Sequence, residues 1–111
     1  MTKQIAEELV IQAPMTLAAQ PKEFISTFKA ADATPSVLNL LKFKAGNTGA
    51  NNITYFDDGF DGQPISILGD SFTTVVHDAT KLLTNTAANK LLAAGKVYRF
   101  TRYDGKWVED A

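Results

Sequence analysis

The chain contains no cysteine, one histidine, one tryptophan, two methionines and four prolines among 111 residues. Without cysteine there can be no disulfide framework and no thiolate metal site. A lone imidazole, His77, with no thiol and no serine nucleophile motif beside it makes neither a triad nor a metal centre. It reads as a strand-end histidine held by hydrogen bonds. Excess positive charge is also missing. Eleven Lys and Arg stand against twelve Asp and Glu, a net charge of −1, and no basic field exists to gather nucleic acid or an anionic membrane surface. No apolar run approaches the roughly 20 residues of a membrane span. Glu7 and Glu8 interrupt the place where a secretory signal would need an apolar core. The seven glycines never fall into a phosphate-loop spacing, and no Gly-Lys-Ser/Thr occurs. Neither a cofactor nor a catalytic group is expected.

What is present is a succession of short β-prone runs punctuated by Asp and Gly. Ile53-Thr54-Tyr55-Phe56, Ile65-Ser66-Ile67-Leu68 and Phe72-Thr73-Thr74-Val75-Val76 are separated by Asp57-Asp58-Gly59-Phe60-Asp61-Gly62-Gln63-Pro64 and Gly69-Asp70-Ser71. β-branched and aromatic residues suit a pleated, half-buried surface, and Gly and Asp supply the bends between strands. Val37 to Lys44 reads as another strand, with Leu41 and Phe43 on its buried face and Lys42 and Lys44 on its wet face. A hairpin closes the pattern, residues 96–103 and 106–108 around Asp104-Gly105, the strongest short hairpin signal. Val97, Arg99, Thr101 and Tyr103 share one of its faces, Tyr98, Phe100 and Arg102 the other. Both carry apolar groups, so neither is expected to be simply solvated. Residues 87–95 fit a helix ended by Gly95 or a short strand. Separations of about 22 residues, Phe43 to Ile65 and Ile53 to Val75, fall in the range of a solenoid coil. A compact sandwich of the same strands is the alternative.

Residues 1–33 differ in character. Pro14 and Pro21 interrupt any long element. Leu9-Val10-Ile11 reads as strand or helix stripe, and Phe24, Ile25 and Phe28 have the spacing of a short helix. An extended arm packing on another subunit is the competing reading. The boundary is placed at residues 30–35, dividing an N-terminal arm, 1–33, from a β-rich body, 34–111. Leu9, Ile11, Leu17, Phe24 and Phe28 are the candidate attachment residues of the arm. Phe43, Ile53, Phe56, Ile65, Ile67, Val75, Leu82, Leu91, Phe100 and Trp107 are the candidate core and subunit-packing residues. The fold class expected is mainly β, solenoid-like or sandwich-like, with at most a short helix in the arm.

The ordered pieces Thr34-Pro35-Ser36-Val37, Phe43-Lys44-Ala45-Gly46-Asn47-Thr48, Ile53-Thr54-Tyr55-Phe56-Asp57-Asp58-Gly59, Asp61-Gly62-Gln63-Pro64-Ile65-Ser66-Ile67, Gly69-Asp70, Thr73-Thr74-Val75 and Tyr103-Asp104-Gly105-Lys106-Trp107 resemble a module of tailed-phage fibre and tailspike proteins. The resemblance spans residues 34–108. It implies a coil related to the right-handed β-helix, a homotrimer, other virion proteins as partners, and virion structure rather than chemistry. Residence in the virion after synthesis in the host cytoplasm follows from it. The family's members sit within longer polypeptides, and a chain ending at Ala111 is expected to be a small free-standing decoration, head-fibre or fibre-attachment subunit. Leu68-Gly69-Asp70-Ser71 is shorter than the glycine-containing turns common in the family, so a different local bend is expected there.

Three chemical readings stand beside this one. Asp57, Asp58, Asp61 and Asp70 form an acidic cluster that could hold calcium, but the EF-hand spacing and its terminal Glu are missing. Two of them could be a glycosidase pair, which exposed turns rarely support. Tyr98, Tyr103 and Trp107, with Phe100, could stack on a host glycan; packing is the favoured role for these aromatics.

Overall fold

The structure is a computed structural model, and it describes residues 25–111. The expected arm residues Leu9, Ile11, Leu17 and Phe24 lie outside the described residues. What is described is mainly β, with no helix. Nine short strands are present: β1 Ile25–Thr27, β2 Lys42–Lys44, β3 Asn51–Ile53, β4 Pro64–Leu68, β5 Thr73–Val75, β6 Leu82–Leu83, β7 Lys90–Leu91, β8 Val97–Tyr103 and β9 Lys106–Glu109. They form a six-stranded sheet, β1-β2-β4-β8-β9-β6, and a three-stranded sheet, β3-β5-β7.

The first half of the body winds in successive passes that pair in parallel. β1 lies on β2 with Ser26 opposite Phe43, and β2 lies on β4 with Phe43 opposite Ile67. On a second side β3 lies on β5 with Ile53 opposite Val75, 22 positions on. On a third, Ser36 bridges Asp57 in parallel, with Val37 N–H donating to the Asp57 carbonyl (2.9 Å) and Asp57 N–H to the Pro35 carbonyl (2.9 Å). The coil spacing read from the sequence is therefore correct for Ile53 and Val75. Phe43, however, pairs with Ile67 and not Ile65: the interval between passes is 21 positions at Ser36 and Asp57 and 24 at Phe43 and Ile67, so the stretch from Asp57 to Ile67, which contains the turn of residues 60–63, is the longer one.

The coil stops where the pairing changes sense. β8 runs antiparallel to β4, and β7 antiparallel to β5, so both exposed edges of the last pass are covered by strands that cannot start another. β8 and β9 form the expected hairpin, joined by Asp104 and Gly105 at φ 51° and 82°. Two positive φ values are what a two-residue hairpin turn of matching twist requires, and Asp-Gly supplies them at low steric cost.

The inward side chains of these strands meet in one core. Phe43, Ile53, Phe56, Ile65, Ile67, Val75, Leu82, Phe100 and Trp107 are all buried, together with Phe28, Val37, Ala45 and Leu92. Phe56 is the hub. Its ring centroid lies 5.5 Å from those of Phe100 and Trp107 and 6.0 Å from that of Phe28, which in turn stacks on Phe43 at 5.0 Å. Each such side chain contributes about 1.5–3 kcal/mol on burial.

Five expectations are corrected. Ile25 belongs to a strand, not a helical turn: the ladder with β2 supplies it with backbone partners that helical spacing alone could not. Phe28, expected in the arm, is core, so the packed body begins no later than Ile25, ahead of the boundary expected at residues 33/34. Leu41, expected inward beside Phe43, is 51% exposed, because the run from Val37 is broken by a turn with Asn39 at φ 60°. Leu91 is 53% exposed while Leu92 is fully buried; β7 is a short strand whose phase is one residue from the expected one, which exchanges its faces. On the hairpin, the face of Val97, Arg99 and Tyr103 is exposed and that of Phe100 and Trp107 is buried, so one face is solvated after all.

Candidate functional site

Polar side chains are concentrated where one pass of the coil meets the next. Asn47, 7% exposed, sits at a corner shared by three passes. Its Oδ1 accepts from Ala31 N–H (2.8 Å), its Nδ2 donates to Thr73 Oγ1 (2.7 Å), and its own N–H donates to Asp70 (2.7 Å). Asp70 completes the corner by also accepting from Phe72 N–H, Thr73 N–H and Thr73 Oγ1, each at 2.8 Å. Gln63, fully buried, donates through Nε2 to the carbonyls of Val37 and Leu40 (2.9 Å each) and accepts from Phe60 N–H at 3.1 Å. Most of these bonds satisfy backbone N–H and C=O groups at the corners, which a buried coil corner cannot leave unpaired, and the Asn47–Thr73–Asp70 side-chain bonds link the groups that do so.

The four aspartates do not form a single site. Asp58 accepts from Ser36 Oγ at 2.6 Å across the bridge between passes. Asp61 accepts from Arg102 Nε (3.1 Å) and from Gly105 N–H (2.9 Å), pinning the loop of residues 57–61 to the hairpin turn. Asp70 belongs to the Asn47 corner. Among the described residues there is no group of three or more His, Asp or Glu placed to hold a metal ion. His77 Nδ1 accepts from Thr84 N–H at 3.1 Å, a local tie of the kind expected for it.

Partial burial pushes the Asp70 carboxyl up, but the hydrogen bonds from Phe72, Asn47 and Thr73 outweigh it and hold the group below its ordinary value of 3.8. Asp78 is also held down, chiefly by the Thr80 hydroxyl and then by the Thr80 N–H. Both stay ionised, the opposite of what a general acid needs. A carboxyl with a lowered folded pKa binds its proton more weakly folded than unfolded. Its contribution is therefore complete above the unfolded value and is lost as pH falls through the folded one. Asp70→Asn is expected to cost about 1–2 kcal/mol at pH 7, because an amide group would face the donors of Asn47 and Thr73. It should also flatten the decline of stability below about pH 4. Urea titrations of both proteins at pH 7 and pH 3 measure both effects.

The aromatic residues considered for glycan stacking are not brought together. Trp107 is fully buried and its Nε1 donates to the Phe56 carbonyl at 2.9 Å. Phe100 is fully buried. Tyr98 is half-buried, with its hydroxyl accepting from Ala93 N–H at 3.0 Å. Only Tyr103 of that set is open, at 58%. Surface grooves are shallow: one of about 370 Å³ is lined by Thr34, Thr54, Tyr55, Lys81 and Gly105, and one of about 200 Å³ by residues of β1, β2, β4 and β8. Neither contains a converging set of acids.

Comparison of the chain with protein-family models, with curated proteins and with solved structures finds no match. Asn47, Gln63 and Thr73 were not legible as a site from composition. The signal that would have found them is separation: Asn47 to Asp70, Ser36 to Asp58 and Ala33 to Thr54 are 23, 22 and 21 residues apart, one pass of the coil in each case.

Proposed function

We propose that this chain is a structural component of a tailed-phage virion, a homotrimer that decorates the capsid or anchors a fibre and carries out no reaction. The observation that carries this reading is the parallel stacking of short strands on three sides at intervals near 22 residues, the architecture implied by the resemblance to fibre and tailspike modules. The use made of the polar groups supports it as well. Asn47, Gln63, Asp58, Asp61 and Asp70 are each spent on tying one segment to another, and a rigid scaffold needs that more than it needs a free carboxylate.

Two measurements on the full chain test the reading. Light scattering on the purified protein should give a mass near three times the 12.0 kDa protomer. The same protein should co-sediment, saturably, with gradient-purified particles of the phage whose genome encodes it. A monomer that stays in the supernatant would reject the proposal.

A further inference from the structure

The outer face of the six-stranded sheet is basic and partly apolar. Across it Ile25 lies beside Lys42, Lys42 beside Ser66, and Ser66 beside Arg99; one row along, Lys44 lies beside Leu68 and Leu68 beside Val97. Lys42, Lys44 and Arg99 are exposed. β1, β2, β4 and β8 contain no acidic residue. The ion pairs among the described residues are Lys90 with Glu109 and Arg102 with Asp61, so no carboxylate of the described residues lies within ion-pair reach of these three cations. Ile25, Leu68 and Val97 are 44%, 37% and 47% exposed and line the groove of about 200 Å³ with the two lysines. Such a face is incomplete as a solvated surface.

The complement lies elsewhere on the same molecule. Asp61, bonded to Gly105 N–H and Arg102 Nε, ties the loop that carries Asp57 and Asp58 to the Asp104 turn at the far end of β8, where four aspartates stand with two cations, Arg102 and Lys106. Phe60 and Tyr103, each 58% exposed, stand among them. Val97 and Tyr103 are six residues apart on one strand, so the basic and acidic patches are separated by about 20 Å.

We infer that these two surfaces are the two halves of one subunit junction: the basic sheet face of one copy receives the Asp57–Asp104 end of the next. The inference rests on the homotrimer proposed above and names the surfaces that build it. A twofold contact centred on this face would set Lys42, Lys44 and Arg99 against their own counterparts, and like charges directly opposed are repulsive. A junction between two different patches instead runs head to tail, and with the threefold rotation of the proposed trimer it closes into a ring. The apolar groups at the centre of each patch, aliphatic on one side and aromatic on the other, supply what charge alone does not, including cation–π contact.

The test uses two double variants of the full chain. Lys42→Glu/Lys44→Glu reverses the basic face at exposed positions. Asp57→Asn/Asp104→Asn removes charge from the acidic end and leaves the hydrogen bonds of Asp58 and Asp61 in place. Circular dichroism on each confirms folding. By light scattering, each variant alone should fall from three protomers to one. Mixed in equal amounts they should give heterodimers, because each keeps the patch the other has lost and only one junction can form. Variants that remain trimeric like the unaltered protein overturn the junction but leave the trimer standing. Monomeric variants that stay monomeric on mixing overturn the head-to-tail pairing. An unaltered protein that is itself monomeric removes the junction and the trimer together.

Discussion

Trp107→Ala is expected to cost about 4–5 kcal/mol, the upper part of the range for removing a buried aromatic. A domain of this size has roughly 5–15 kcal/mol in total, so much or all of the native population is lost. The indole is fully buried, meets Phe56 edge-on at an interplanar angle of 86°, and donates its N–H to the Phe56 carbonyl. Truncation therefore opens a cavity at the hub of the core and also leaves a buried acceptor without a donor, a penalty of about 1–3 kcal/mol by itself. Gly59 shows how closely the site is filled, since a Cβ placed there would collide with the Trp107 ring. Trp107→Phe separates the two contributions: it retains an aromatic ring but not the donor, and should fall between the alanine variant and the parent. Urea unfolding followed by far-ultraviolet circular dichroism measures all three proteins, because the chain's one tryptophan is what the substitutions remove. An alanine variant that unfolds within about 1 kcal/mol of the parent would show that the hub does not hold the core.

Gly69→Ala should be nearly as damaging, at about 3 kcal/mol, near the top of the range for overpacking. Gly69 is buried at the end of β4, and its N–H donates to the Lys96 carbonyl at 2.9 Å. A Cβ there would meet the Ala93 carbonyl and lie 2.6 Å from the Leu92 carbonyl oxygen and 2.7 Å from its carbon. All three obstacles are backbone, so no rotamer change relieves them. The segment of residues 92–96 would have to move off the coil, taking with it the Leu92 bonds to Thr73 and Ser71. Gly49→Ala is the matched comparison. Nothing lies within 4 Å of a Cβ at Gly49, and its effect should stay within about 0.5 kcal/mol. Equal midpoints for the two alanine variants in urea would mean that the close approach at Gly69 is not real.

The elements that the sequence made legible are those whose cause is local. Asp104-Gly105 specifies a turn by its own backbone preferences, and alternation on both sides specifies the strands it joins. The inward positions of Ile65 and Ile67 follow from the same period of two. Where the cause lay one pass away, the reading slipped. The contacts that make Ile25 a strand residue come from Lys42 and Phe43, and nothing in the neighbourhood of Phe24, Ile25 and Phe28 carries that information. Leu91 and Leu92 are chemically equivalent, so composition could not decide which one faces Val75 and the core. The pairing of Phe43 with Ile67 depended on the length of a turn rather than on any apolar pattern. The corner built by Asn47, Asp70 and Thr73 was the least legible part. A polar residue in an Asn/Gly-rich loop reads as solvated unless its partners, 23 and 26 positions on, are already known to lie beneath it.

The position of Trp107 has a consequence for biogenesis. The indole closes over Phe56, a residue synthesised 51 positions earlier, and β9 supplies the partners for both β6 and β8. The early passes therefore leave the ribosome with Phe56 uncovered, and they can hold only provisional structure until the hairpin emerges. The core cannot close before residues 106–109 have been made, so folding is governed by late, distant closure. Such topologies mature over milliseconds to seconds, an interval in which a nascent chain rich in bare strand edges depends on dilution or on a chaperone to avoid pairing with its neighbours.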